Sequence, residues 1–306
     1  MTDGRGIQGP VGLASEQGSL PSERQLPASL RLGPVRLQVG DLERSLEYYT
    51  GVLGLQLHST AAGSATLTAT EDAAPLVELV ERPDTAPVQP HSRLGLYHFA
   101  LLVPDRAALG RFLGHLARTG TRIGASDHLV SEAIYLRDPD GLGIEVYVDR
   151  PRSTWRHTKG QIEMATAPLD TEAVLAAAGD VPWSGMPAGT EMGHMHLHVA
   201  DLDLASRFYH GALGFDRTVW SYPGALFLSA GGYHHHLGLN TWAGKDAAAP
   251  TDRDARLIEW SLRFSLETDA GVAARRLSEA GHSVSGRDGD WVVEDPWGTR
   301  LRLTTS

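Results

Sequence analysis

Cysteine is absent from the chain, which excludes disulfides, thiolate metal sites and cysteine nucleophiles. Any metal must therefore sit on imidazole or carboxylate groups. Lysine is almost absent as well. Lys159 and Lys245 stand alone, so arginine carries the positive charge. A formal net charge of −10 without a basic cluster argues against a nucleic-acid partner. No run approaches the roughly 18 apolar residues of a membrane span, and the N-terminus lacks the apolar stretch of a secretory signal. These absences fit a cytoplasmic protein. What is present is ordinary for a soluble globular chain: 42% hydrophobic and 21% charged residues over a length of 306, enough for about two domains.

An internal repeat organises the sequence. Residues 35–55 read VRLQVGDLERSLEYYTGVLGL and residues 195–215 read MHLHVADLDLASRFYHGALGF. A shift of 160 carries Val39 to Val199, Asp41 to Asp201, Tyr49 to Tyr209 and Gly54 to Gly214. Residues 1–30, rich in Gly, Ser, Pro and Gln without periodicity, read as a flexible tail partly ordered by contact with the body, with regular order expected from near Leu32. Two similar halves follow, 31–150 and 190–306, joined by a linker over 151–189 that carries a short expected helix at Asp170–Ala178. Within the first half, HFALLVPD at 98–105 repeats the strand before Asp41 at an offset of 64. Each half thus divides into two units of strand, helix and about three strands. The units span roughly 31–84, 95–150, 190–243 and 256–306, an α+β architecture. Asp41 and Asp201 are expected to cap helices. Gly54, Gly120, Gly214 and Gly281 are expected to end them. Asp138–Gly141 and Asp295–Gly298 read as turns that aim the strands after them.

The fourteen histidines are not scattered at random. His98 and His194 each stand five residues before a valine, Val103 or Val199, that marks the same place in the repeat. Both therefore lie on the first strand of their unit and point the same way. Pro34 and Glu259 take that place in the other two units. Glu145 falls near the start of the last strand of unit two, where unit four has Arg302. Two imidazoles and one carboxylate are the donor set of the facial triad that holds non-haem Fe(II), and Mn(II) accepts the same N/O donors. His128 and Tyr135, shortly before Asp138, could supply proton transfer and hydrogen bonds to a developing oxyanion. The tract GGYHHHLGLN is expected to set His234, His235 and His236 on the last strand of unit three, with His234 and His236 on one face. His236 then matches Glu145 and is the preferred acid/base or substrate-binding group; His235 takes that role if the register slips by one. By the same alternation His196 and His198 share the face of His194.

At these residues a resemblance becomes specific. DLERSLEYYTGVLGL and DLDLASRFYHGALGF are similar to the helix motif of the vicinal oxygen chelate superfamily, which includes glyoxalase I, bleomycin- and fosfomycin-resistance proteins and extradiol dioxygenases. HLVSEAIYLRDPDGLGIEVYVDRPRSTW, with GHMHLHVADL and GGYHHHLGLNTWAG, resembles the short bacterial catechol-2,3-dioxygenases, and the likeness runs from about Leu32 onward. It implies four βαβββ modules in two tandem domains, with mixed curved sheets that pair into cups, each cup able to surround one metal. It implies His98, His194 and Glu145 as the iron ligands, His128 and Tyr135 as neighbours of the metal, and the HHH tract as the source of the acid/base histidine. The ligands fall in different halves, so units two and three must pair, within one chain or by exchange between subunits, and leave units one and four a cup without a conventional triad. One metal site per chain is the expectation.

The resemblance further implies an Fe(II) extradiol dioxygenase of aromatic catabolism. Its partners would be a small aromatic diol and O2, and its product a muconic semialdehyde. Two alternatives stand beside it: a glyoxalase-type metal-dependent isomerase or lyase, and a non-catalytic ligand-binding or resistance protein. A homo-oligomer is expected only because symmetric oligomers are common.

Overall fold

The computed structural model describes residues 18–20, 22–71 and 73–305. Unit one comprises β1 (Arg31–Val39), α1 (Leu42–Gly51), β2 (Gln56–Ala61), β3 (Ser64–Thr68) and β4 (Pro75–Glu81). Unit two comprises β5 (Gly95–Leu102), α2 (Arg106–Thr119), β6 (Gly124–Asp127), β7 (Ser131–Arg137) and β8 (Gly143–Asp149). The connection between halves holds a ribbon of β9 (His157–Thr158) and β10 (Gln161–Ile162) and then α3 (Thr171–Ala177). Unit three has β11 (Glu191–His198), α4 (Leu202–Ser206) running on into a wider π-type turn at Arg207–Leu213, β12 (Asp216–Val219), β13 (Ala225–Ser229) and β14 (Leu237–Asn240). Unit four has β15 (Arg256–Arg263), α5 (Glu267–Glu279), β16 (Val284–Arg287), β17 (Asp290–Glu294) and β18 (Arg300–Thr304).

The local signals act as expected. Asp41, Asp105 and Asp201 each accept a hydrogen bond from the amide three residues on, satisfying first-turn donors of α1, α2 and α4. Gly120 ends α2 in the left-handed conformation, φ 67°. In every unit the first and last strands lie side by side in parallel, as β5 and β8 do. The first strands then pair antiparallel across halves: β1 with β15, and β5 with β11. Two eight-stranded mixed sheets result, ordered β16-β17-β18-β15-β1-β4-β3-β2 and β12-β13-β14-β11-β5-β8-β7-β6. Each sheet takes one unit from either half of the sequence. Unit two does pair with unit three, as the split ligand set requires.

The core is continuous beneath both sheets. Tyr49 and Leu53 of unit one, Phe112 and Leu116 of α2, Phe208 and Leu213 of unit three and Leu277 of α5 belong to one buried cluster. Packing begins ahead of Leu32. Of the tail expected over 1–30, residues 1–17 and 21 lie outside the described residues. Leu26 and Leu30, however, are buried in the core cluster, and the Leu26 amide donates to the Gly214 carbonyl at 2.9 Å. Two leucines in a polar stretch are enough to anchor it, because each removes apolar surface from water. The connection over 151–189 is likewise docked. Gly110 of α2 lets α3 approach so closely that a Cβ there would stand 2.3 Å from the Val174 carbonyl oxygen. Among the described residues no helix is long and apolar enough to cross a membrane.

Candidate metal centre

The ligand geometry follows from strand register. His194 on β11 is opposite Ala100 on β5, Ala100 is opposite Glu145 on β8, and Glu145 is opposite Tyr135 on β7. This is one row across the sheet, so the four side chains share a face. His98 belongs to the next row and is paired with His196. Ala100 is small and fully buried, which leaves room for the imidazole and the carboxylate to meet above it.

They do meet. Glu145 Oε2 lies 3.0 Å from His98 Nε2 and 3.1 Å from His194 Nε2. One ligand atom from each residue lies within 4.8 Å of the others, and all three residues are buried. Among the described residues no other three-residue group is so placed. Burial pushes the His98 imidazole below its ordinary range, even beside Glu145. Burial alone would raise the Glu145 carboxyl, but His194 and His98 hold it well below the carboxylate range. An ionised carboxylate and a neutral imidazole are the protonation states that metal ligation needs. His98 Nε2 is buried without a hydrogen bond. An orphaned imidazole nitrogen beside a carboxylate is costly in an ordinary core, whereas a divalent ion would satisfy it. The residues present fit an N/N/O-ligated metal.

The cluster forms part of the wall of a cavity of about 370 Å³. Tyr97, Tyr222, Phe227 and Trp242 line it with aromatic rings, and His128, Tyr135, His196 and His235 reach it as well. His128 Nδ1 lies 2.7 Å from the Ala165 carbonyl, which can only accept, so Nδ1 carries the proton. The ring's Nε2 lies 2.5 Å from the Tyr135 hydroxyl. Burial holds the Tyr135 hydroxyl protonated far above neutral pH, reinforced by the Glu145 charge.

The histidine tract departs from expectation. β14 starts at Leu237, so His234, His235 and His236 lie in the loop before it and strand alternation does not govern them. His236 faces away from the cavity. Its Nδ1 accepts from the Ala230 amide at 3.1 Å and meets Ser229 Oγ at 3.0 Å. His235 is the member that lines the cavity, its ring centroid 4.1 Å from that of His194. Nor is His236 the counterpart of Glu145. Ala100 pairs with Glu145 and His196 pairs with Gly238, so Gly238 holds that place. A Cβ there would sit 2.9 Å from the His196 ring, which occupies the space a carboxylate would need. His196 lines the cavity as expected from its shared face with His194. His198 points elsewhere and bonds Asn240 at 2.6 Å.

Other wall residues had no motif to mark them. Met164, Ala165 and Thr166 come from the connection between halves, and the aromatic walls come from single residues on separate elements. In the other sheet the equivalent ground is filled by ion pairs. Arg302 lies 2.6 Å from Glu259, Arg300 lies 3.0 Å from Glu259, and Arg36 lies 3.1 Å from Glu78. Guanidinium groups there do the neutralising that a cation does in a ligand site.

Comparison with known proteins agrees with this architecture. A family model described as the Glyoxalase/Bleomycin resistance protein/Dioxygenase superfamily matches residues 31–146 and 191–303. The chain is 44% identical over 268 residues to the catechol-2,3-dioxygenase of Bacillus subtilis (strain 168), covering 87% of this chain and 93% of the relative. Glyoxalase I from Zea mays shares the fold at 17% identity, with a TM-score of 0.51 over 90% of this chain and 93% of that one. The cppA protein from Streptococcus pneumoniae TIGR4 shares it at 12% identity, with a TM-score of 0.52 over 90% and 98%. With both halves matched and a relative this close over nearly its whole length, the chain belongs to the glyoxalase/bleomycin resistance protein/dioxygenase superfamily, and within it is catechol-2,3-dioxygenase-like.

Proposed function

We propose that the protein is an Fe(II)-dependent extradiol dioxygenase that cleaves catechol or a substituted catechol with O2 to a muconic semialdehyde. One observation carries the reading: a buried two-histidine, one-carboxylate cluster opens onto a cavity walled by aromatic rings. That donor set leaves coordination positions free and is the signature of non-haem Fe(II) oxygenases. The similarity to a catechol-2,3-dioxygenase supports the choice of a catechol as substrate. His98, His194 and Glu145 would hold the metal. Bound there, iron would lower the pKa of diol hydroxyls and give O2 a redox partner.

The chain's own residues do the rest. Tyr97, Phe227 and Trp242 pack against the substrate ring and exclude water. His235 takes a proton from the diol and returns it later. Tyr135, its hydroxyl held by His128, turns its proton to oxygen that becomes negative during ring opening. The isomerase alternative expects a further carboxylate facing the site from unit three, and Gly238 has none to offer.

The test is oxygen uptake by the full chain reconstituted anaerobically with Fe(II) and then mixed with catechol, 3-methylcatechol or 4-methylcatechol in air. Stoichiometric uptake with a yellow product is the expected result. No uptake with any of the three, from protein that carries iron, overturns the reading.

A further inference from the structure

His235 is not an isolated ring. Its Nδ1 lies 2.7 Å from His234 Nδ1, and His234 Nε2 lies 2.8 Å from Asp149 Oδ1. The same Oδ1 accepts from the Tyr233 hydroxyl at 3.2 Å, and the Tyr233 hydroxyl lies 2.7 Å from that of Tyr147. His234 is completely buried and His235 is 5% exposed, so water does not compete for the contact between the two rings.

Donor bookkeeping fixes the protons. An ionised carboxylate only accepts, so His234 carries its proton on Nε2. With no second proton on the ring, His234 presents a lone pair at Nδ1. Two nitrogens at 2.7 Å need one proton between them, so His235 donates from Nδ1. The remaining nitrogen of His235, Nε2, makes no hydrogen bond among the described residues, and the ring lines the cavity.

We propose that Asp149 and His234 are positioning residues that lock His235 in its Nδ1–H tautomer, so that Nε2 offers a lone pair to the diol. The inference rests on the dioxygenase reading for the role of His235, but the tautomer itself does not. An imidazole free in the cavity would sample both tautomers, and only one of them can accept a proton at the face that meets substrate. Asp149 is anchored on β8, four residues after Glu145, so the strand that supplies a metal ligand also supplies the residue that orients the base. The sequence HHH places the orienting and the oriented ring side by side.

The test is nitrogen-15 NMR of the histidine rings in the metal-free full chain, where no paramagnetic centre broadens the signals. The His235 resonance is identified by its loss in His235→Gln. The expected result is an Nδ1–H His235 in the wild type and a shift toward Nε2–H in His234→Leu. His234→Gln, whose amide oxygen can accept from Nδ1–H, restores the wild-type form. With Fe(II) and catechol, His234→Leu should lower kcat by about tenfold or more with KM little changed, and His234→Gln should recover most of it. If His234→Leu does not fold, Asp149→Ala serves instead, with a mixture of His235 tautomers expected. A wild-type His235 protonated at Nε2, or a tautomer unmoved by these variants, overturns the proposal. A chain with the expected tautomers that takes up no oxygen overturns the dioxygenase reading and leaves the positioning standing.

Discussion

The phenol of Tyr49, on the helix of unit one, donates to Oδ2 of Asp138, in the turn of unit two, at 3.2 Å, and both residues are buried. The repeat makes the bond twice: Tyr209 of unit three donates to Asp295 of unit four at 2.9 Å. In each turn the other carboxylate oxygen accepts backbone amides, those of Asp140 and Leu142 or of Trp297 and Thr299. The sheets join units across the two halves, while these Tyr–Asp bonds join units within a half.

Removing that phenol leaves a buried carboxyl with an unmet lone pair. Tyr49→Phe is expected to destabilise the fold by about 1–3 kcal/mol, and Tyr209→Phe by a similar amount. Urea midpoints at constant m-value measure it. The two sites share no partner, so the double variant should be close to additive. Near-zero effects would mean the turns hold without the phenols.

Metal binding should be single and should depend on the triad. The full chain is expected to take up one equivalent of Fe(II), and Glu145→Gln or His98→Ala none, because the second sheet has arginine where ligands would stand. Metal at about 100 times its dissociation constant should stabilise the wild type by about 2.7 kcal/mol and leave the variants unmoved. A second equivalent retained by the wild type would contradict this.

His235 and His236 should behave oppositely although they are neighbours. His235→Asn is expected to cut turnover per folded molecule by about 10²–10⁴-fold, since the ring faces the cavity. His236→Asn strips the acceptor from Ala230 and should cost about 1–3 kcal/mol, with activity per folded molecule retained. Paired kinetics and denaturation on both variants separate the roles.

Acid should weaken the metal-free fold steeply. Burial, opposed by a hydrogen bond to Asn240, pushes the His198 imidazole down to about 4, and burial with nearby His234 and arginines pushes His236 down to about 3. Both lie below the ordinary 6.5 of an unfolded histidine. Between those values the unfolded chain binds the extra protons, so this stability is complete above 6.5 and is lost as pH falls through about 4 for His198 and about 3 for His236. Each group should cost about 1.4 kcal/mol per pH unit in its window. Urea titrations at pH 7, 6 and 5 read the slope, and His236→Leu, if it folds, should reduce it.

Much of this protein was legible in the chain itself. The repeat marked four units, and aspartates before apolar helices marked their starts, because capping and periodicity are local effects. Equivalent strand positions pointed to His98, His194 and Glu145, since a residue's place on a pleated strand fixes which face it shares. The loop before β14 broke that logic at HHH: outside a strand, alternation has no hold, and His235 rather than His236 turned to the cavity.

What only the tertiary structure decided is what long-range contact decides. The Ala165 carbonyl that sets the His128 proton, the Tyr49–Asp138 bond and the Asp149–His234–His235 chain each join residues distant in sequence. The sequence specifies side chains and local conformation, from which the donor types and strand faces follow. Which donor meets which acceptor is set by how the sheets pair across halves, where burial makes every unpaired polar group costly and so selects one arrangement.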